Sequence, residues 1–266
     1  HEWDETVPGF VEIDLVGHDG GDNNGQFHFS LNATDVATGW TESITVRSKG
    51  ERIVHAGLAQ LHLRFPFAVQ GIHSDNGSEF INHHLTRWCD THEITFTRGR
   101  PAHSNDQAHI EQKNWSQVRR VAAYYRYDTP RELELLNQIW PAECALNNLF
   151  KPQQKLLTKT RQGAKVTKTY DQATSPFRRL LRDHPNYLTD QDQTELLAQL
   201  EDLNVDATRR QIHAHQATLR ELATRRQQRT TRRANNHHVY STRTKISPPP
   251  KRAQPHESTT HPKRAS

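Results

Sequence analysis

The sequence predicts an α/β protein: a mixed sheet with helices on its faces. Three observations carry this. Short segments of period-two alternation follow one another near the start of the chain, separated by turn-forming clusters. The apolar period then changes to that of a helix, twice, with a short apolar run after each change. The resulting order is three strands, helix, strand, helix, strand, which suits a five-stranded sheet with crossover helices.

Residues 10–18 (FVEIDLVGH) alternate apolar and polar, as a half-buried strand does. Residues 20–25 (GGDNNG) are a dense turn cluster. Residues 26–32 (QFHFSLN) alternate again, with Phe27, Phe29 and Leu31 on one face. Residues 40–46 (WTESITV) are the third candidate, so the chain opens with an antiparallel meander. Residues 50–63 space Ile53, Val54, Leu58 and Leu61 as a helix does. Residues 68–73 read as a short buried strand. Residues 76–90 read as a helix with Phe80, Ile81, Leu85 and Trp88 inward, and 93–97 as the fifth strand.

Residues 97–107 (TRGRPAHSNDQ) are a surface loop in which Asn105 or Asp106 can cap the next helix. That helix covers 106–125 and places Ile110, Trp115, Val118 and Ala122 inward. Another starts at Pro130, a residue suited to the first turn, and reaches Phe150. The domain organisation expected is a core over 1–150, a basic extended segment over 151–185, a helical segment over 186–224 and a disordered basic tail over 225–266.

No run of the 266 residues is apolar enough for a membrane span, and no signal peptide is visible. Two cysteines exclude a disulfide framework, so a reducing, cytoplasmic setting is the default. The chain has no methionine and begins at His1, which implies a piece of a longer product with something missing upstream. The net charge of +5 is unevenly placed. Residues 221–266 carry eleven Lys/Arg against two Asp/Glu, whereas residues 1–97 carry five against fourteen.

Three acidic residues account for the chemistry of that acidic front. Asp14 interrupts the apolar pattern of the first strand. Asp75 falls at the carboxyl end of the fourth, where open α/β sheets bind ligands. Glu111 lies in the first turns of the helix after the polar loop. Clustered carboxylates on rigid elements suit metal-assisted phosphoryl transfer, because Mg²⁺ prefers carboxylate, water and phosphate oxygens.

The pieces VEIDLVGH at 11–18, GIHSDNGSEF at 71–80 and NDQAHIEQKNW at 105–115 resemble the DDE catalytic core of retroviral integrases and bacterial insertion-sequence transposases. ATDVATGWTE at 33–42 and KTRQGAKVTKTYD at 159–171 resemble the transposases in particular. The resemblance spans residues 8–180. It implies an RNase H-like fold, with Asp14, Asp75 and Glu111 as catalytic ligands of Mg²⁺, for which Mn²⁺ can substitute. It implies hydrolysis at transposon ends, followed by attack of the freed 3′-hydroxyl on target DNA. Asn76 and Gly77 match the family's turn after the strand. A homo-oligomer acting on double-stranded DNA in a bacterial, nucleoid-associated setting is the implied assembly.

Arg98 and Arg100 flank the polar loop, and Lys113, Arg119, Arg120 and Arg126 accompany the Glu111 helix; all are candidate contacts to DNA phosphates. Nine cations over 151–182, interleaved with Tyr170 and Phe177, suit a DNA-backbone track. His83, His84, Cys89 and His92 lack a zinc-ligand spacing and read as structural. The Leu-rich stretch 190–222 suits either packing or oligomerisation. Two other readings share these features. One is a truncated or repurposed DNA-binding derivative without catalysis. The other is a ribonuclease H, which the 35 residues between Asp75 and Glu111 disfavour.

Overall fold

The computed structural model describes residues 3–75, 77, 80, 83–99 and 114–243. The chain divides into two compact units, His1–Thr224 and Arg225–Ser266. The first is built on strands β1 (Phe10–Gly17), β2 (Phe29–Asp35), β3 (Thr41–Val46), β4 (Gly71–Ser74) and β5 (Thr95–Arg98). They form one sheet in the order β3-β2-β1-β4-β5. β1, β2 and β3 are antiparallel neighbours, while β4 pairs parallel to β1 and β5 parallel to β4. The sheet is therefore mixed and five-stranded, as the sequence predicts. Among the described residues, no helix is long and apolar enough to cross a membrane.

Period two sorts the side chains of β1 onto two faces. Val11 and Ile13 pack with Leu31, Val54, Leu58 and Leu61, so helix α1 (Glu51–His62) covers that face. A Cβ on Gly57 would meet Val46 Cγ1 at 2.9 Å, so a glycine there lets α1 lie close to the sheet. Helix α2 (His83–Thr91) adds Leu85 and Cys89 to the same layer. On the opposite face, Val16 packs with Val118, Ala122, Leu136, Ile139 and Trp140. These come from a π-helical turn (Asn114–Arg119), the short helix α3 (Arg120–Ala122) and helix α4 (Pro130–Ala145). Thr129 caps α4 in a capping box with Glu132, and Pro130 occupies its first turn.

β3 is an edge strand, and side chains of α4 and of the π-helical turn that follows it (Leu146–Phe150) close that edge. Asn137 accepts from Thr45 N at 2.8 Å and donates to Thr45 O at 2.9 Å. Asn148 does the same at Thr41, at 2.9 Å in both directions. Each amide takes the place of one residue of a missing neighbour strand, which blocks further edge pairing.

The structure differs from the sequence expectation in three places. Trp115, expected inward, is 62% exposed. The turn around it is π-helical, and the extra residue per turn shifts the phase so that Gln117 faces in beside the expected Val118. Residues 151–182 are not irregular: they contain the hairpin β6 (Leu156–Gln162) and β7 (Lys165–Tyr170) and helix α5 (Pro176–Asp183), capped by Ser175. The Leu-rich stretch is two helices, α6 (Asp190–Asp202) and α7 (Val205–Arg243). Asn204 breaks it, its Oδ1 accepting from Ala207 N at 2.9 Å as an N-cap does. Ile212, Leu219 and Ala223 of α7 join the core around Trp140. The second unit is helical as far as Arg243.

Candidate active site

The site is set by where β4 stops. Its register against β1 runs Phe10–Gly71, Val11–Ile72, Glu12–His73 and Ile13–Ser74. Asp14 and Asp75 each follow the last of these pairs by one residue. Parallel neighbours lie about 4.8 Å apart, so each carboxylate-bearing residue stands one step of chain beyond a pair of adjacent strand residues. Asp14 is half-buried and Asp75 exposed. Beyond Ser74, β1 continues to Gly17 without β4 beside it, and there Leu15 N–H donates to Asp14 Oδ1 at 2.7 Å.

The register extends to β5, where Ser74 pairs with Arg98. By alternation, Arg98 belongs with Ile13 and Ser74, on the sheet face opposite to Asp14. Gly99 follows, its N–H donating to Ser74 O at 2.9 Å. Gly77 N–H donates to Asp75 Oδ1 at 2.8 Å, a turn that bends the chain away from the sheet just past the carboxylate. Asn76, Arg100, Glu111 and Lys113 lie outside the described residues.

Sequence reasoning missed the side chains that hold Asp14. Asn114 Nδ2 donates to Asp14 Oδ2, and Asn114 Oδ1 accepts from Asn32 Nδ2 at 3.3 Å. Asn32 faces Asp14 in the β1–β2 register. Its Oδ1 accepts from Ser43 Oγ at 2.6 Å, and Ser43 Oγ accepts from Gln117 Nε2 at 3.0 Å. Gln117 Oε1 accepts from Asn147 Nδ2 at 3.0 Å, and Asn147 also donates to Glu143 at 3.3 Å. Lys151 closes the chain on Glu143 at 2.7 Å. A continuous line of hydrogen bonds thus runs from the Asp14 carboxylate through the polar face of β2 and β3 to α4. Buried amides are expensive to leave unpaired, so such a line fixes the orientation of each member. The signal in the sequence was the spacing of Asn114 and Gln117, three residues apart shortly after Glu111.

The candidate cations divide by their partners. Arg126 is not on the helix. Its guanidinium binds Asp128 at 2.9 Å and the carbonyls of Asp22, Asn24 and Gln26 at 2.7, 2.8 and 3.0 Å. It clamps the GGDNNG loop, where Gly20 has φ +67° and a Cβ would strike Arg126 N at 2.7 Å. Arg119 is half-buried, donates to Gly17 O at 3.2 Å and lies over the Tyr124 ring, whereas Arg120 is exposed. In the 151–182 stretch, Lys151 is tied to Glu143, Lys155 to Ala37 O, Arg179 to Asp171 and Arg182 to Asp183.

Asp14 and Asp75 supply hard oxygen donors of the kind that suit Mg²⁺. Among the described residues, no third His, Cys, Asp or Glu joins them to complete a metal-holding group. Helix His83–Thr91 and its surroundings gather His55, His62, His92 and Trp88 in edge contacts, and no metal-holding set forms there either among the described residues.

Residues 4–104 match the family model of the integrase core domain. A protein of Sinorhizobium fredii, the uncharacterized protein y4rM, is 39% identical over 178 residues, 67% of this chain and 51% of that protein. The chain therefore spans about half the length of that relative. The crystal structure of the catalytic core domain of BIV integrase aligns with a TM-score of 0.45 at 21% identity, covering 67% of this chain and 98% of that one. The matched segment, which carries the whole β3-β2-β1-β4-β5 sheet, is similar to an integrase core domain.

Proposed function

We propose that this chain is the catalytic region of a DDE-type transposase. It cleaves DNA at transposon ends and transfers the freed 3′-hydroxyl to target DNA. Asp14, Asp75 and Glu111 are the carboxylates that hold Mg²⁺, with Mn²⁺ able to substitute. The observation that carries this reading is the placement of Asp14 and Asp75 at successive positions past the Ile13–Ser74 pair. Glu111 is three residues before Asn114, the residue whose amide donates to Asp14.

When bound, the metal activates the attacking oxygen and stabilises the leaving one. The chain's own part is positional. β1 and β4 fix two carboxylates on rigid elements, and Asn114 holds the Asp14 carboxylate in one orientation. Gly77 lets the chain leave β4 beside Asp75. Arg100, Lys113, Arg119 and Arg120 are proposed to neutralise DNA phosphates around that centre, with Asn76 in support, and Arg98, exposed at the end of β5 on the opposite face, to neutralise phosphates farther along the duplex. A homo-oligomer in the bacterial cytoplasm, on nucleoid DNA, follows from the same reading.

Nicking of supercoiled plasmid by the full chain tests it. The reading predicts nicks with Mg²⁺ or Mn²⁺ that vanish with a chelator. Folded protein that leaves the plasmid intact at every metal concentration would instead make the chain a non-catalytic DNA-binding derivative.

A further inference from the structure

Beyond the core, the hairpin Leu156–Gln162 and Lys165–Tyr170 is anchored firmly at its base and covered on neither face. At the base, Lys155 N donates to Asp171 Oδ1 at 2.5 Å, and Gln153 and Thr174 form an antiparallel bridge. The buried Arg179 guanidinium ties Asp171, Gln153 O and Thr38 O together at 2.9, 2.9 and 2.6 Å. The hairpin is therefore clamped to the sheet's β2–β3 turn. Past the clamp, every residue of Lys165–Tyr170 is exposed.

The register sorts its side chains. Arg161 pairs with Val166, and alternation puts Lys168 and Tyr170 on the same face as these two. Thr158, Thr160, Thr167, Thr169, Gln162 and Lys165 belong to the other. Leu157, Val166 and Tyr170 are 61, 43 and 47% exposed. No acidic residue occurs between Glu143 and Asp171, and among the described residues no carboxylate pairs with Arg161, Lys165 or Lys168. A two-stranded ribbon alone is marginally stable in water, and this one carries cations with no carboxylate partner among the described residues, Arg161 Nε donating to Gly163 O at 3.1 Å, beside exposed apolar side chains.

We propose that this hairpin is a DNA-binding arm, laid along a groove of duplex DNA outside the carboxylate centre. The inference rests on DNA being the substrate and adds a second place of contact. Three features select duplex DNA as the occupant. A two-stranded ribbon has the width that the major groove admits. Residues on one face recur about every 6.8 Å, twice the 3.4 Å rise per phosphate along each strand. One face offers Arg161 and Lys168 to phosphates and turns Val166 and Tyr170 to the sugars and base edges, while Lys165 and the threonine hydroxyls of the other face line the ribbon's outer side within reach of the flanking phosphates.

The test is binding of the full chain to a labelled 30-bp duplex across a salt series, with the single strand and polyglutamate as parallel probes. Arg161→Gln, Lys165→Gln and Lys168→Gln are combined in one variant, and all three positions are exposed, so its melting temperature is expected to stay native. Losing three phosphate contacts lowers the log–log salt slope by about 2.7, so a rise from 50 to 200 mM costs the variant about 40-fold less affinity than the native chain. A native slope and affinity in the variant overturn the inference. So does native protein that binds polyglutamate as tightly as duplex, which would make the arm a site for an acidic protein. Equal binding of single strand and duplex overturns the groove placement. Metal-dependent plasmid nicking by the native chain, measured beside the binding, separates the two readings. If native chain nicks DNA while the triple variant binds with a native slope, only the arm fails. If native chain neither binds nor nicks DNA, the functional reading fails with it.

Discussion

Asp14 and Asp75 each follow, by one residue, the pair Ile13–Ser74 that ends the parallel ladder of β1 and β4. The ladder is buried on the side of Val11, Ile13 and Ile72, which fixes its register. A slip of one residue would turn that apolar set outward, so the packing that stabilises the sheet also aligns the carboxylates.

The first prediction concerns these groups. Asp14→Asn, Asp75→Asn and Glu111→Gln keep shape and remove charge. Each should lower metal-dependent DNA cleavage by about a thousandfold or more, since each takes away several kcal/mol of transition-state stabilisation. Far-ultraviolet circular dichroism should remain native. Wild-type cleavage by any of the three would remove that residue from the trio.

Asn114 acts through Asp14. Asn114→Ala should weaken metal binding or activity by about 10–100-fold, the usual loss when a group that orients a ligand is removed. The loss should appear as a higher metal concentration for half-maximal cleavage. A fall in rate at saturating metal with unchanged metal dependence would show that Asn114 does not act through the carboxylate.

The edge of β3 depends on two amides. Asn148 is 1% exposed and satisfies both backbone groups of Thr41, while its Nδ2 also donates to Glu42 at 3.1 Å. Asn148→Ala leaves these groups unpaired in the interior and should cost about 2–4 kcal/mol in denaturant unfolding. Asn148→Asp restores an acceptor for Thr41 N and no donor for Thr41 O, so it should recover only part of the loss. An unchanged midpoint in the alanine variant would mean that water replaces the amide.

Burial raises the Glu42 carboxyl from 4.5 to about 7, against the Trp40 and Asn148 hydrogen bonds that favour its charged form. The folded chain then holds this proton more tightly than the unfolded chain, so stability falls as pH rises from 4.5 to about 7. Asp35, raised by burial to about 6, acts in the same direction from 3.8 upward. His18 opposes both: burial lowers it from 6.5 to about 3, so its contribution grows as pH rises through that window. Above pH 6.5 the Glu42 effect stands nearly alone. Glu42→Gln should match the native chain near pH 4.5 and exceed it at pH 8 by up to about 3 kcal/mol. Stability curves that run parallel from pH 4.5 to 8 would contradict this.

Legibility followed the apolar side chains. Alternation across residues 10–18 and helical spacing across 50–63 reflect surfaces buried in Phe10–Gly17 and Glu51–His62, so both elements could be read. The carboxylates could be read because Asp14 breaks an apolar strand and Asp75 ends one. The hairpin Leu156–Tyr170 could not, because its alternation is of threonine against cations and neither face is buried. The line from Asn114 to Lys151 joins residues far apart in the sequence, such as Asn32 and Asn114 or Ser43 and Gln117, and only the folded sheet brings them together. Trp115 misled because a π-helical turn has no 3.6-residue period to read.

The central claim is that Asp14 and Asp75 hold a divalent metal. Crystals of the full chain soaked in Mn²⁺, with anomalous scattering recorded at the manganese edge, test it most directly. The account predicts a peak between the Asp14 and Asp75 carboxylates that disappears in Asp75→Asn. Manganese found elsewhere, or no peak between these carboxylates at saturating Mn²⁺, would contradict it.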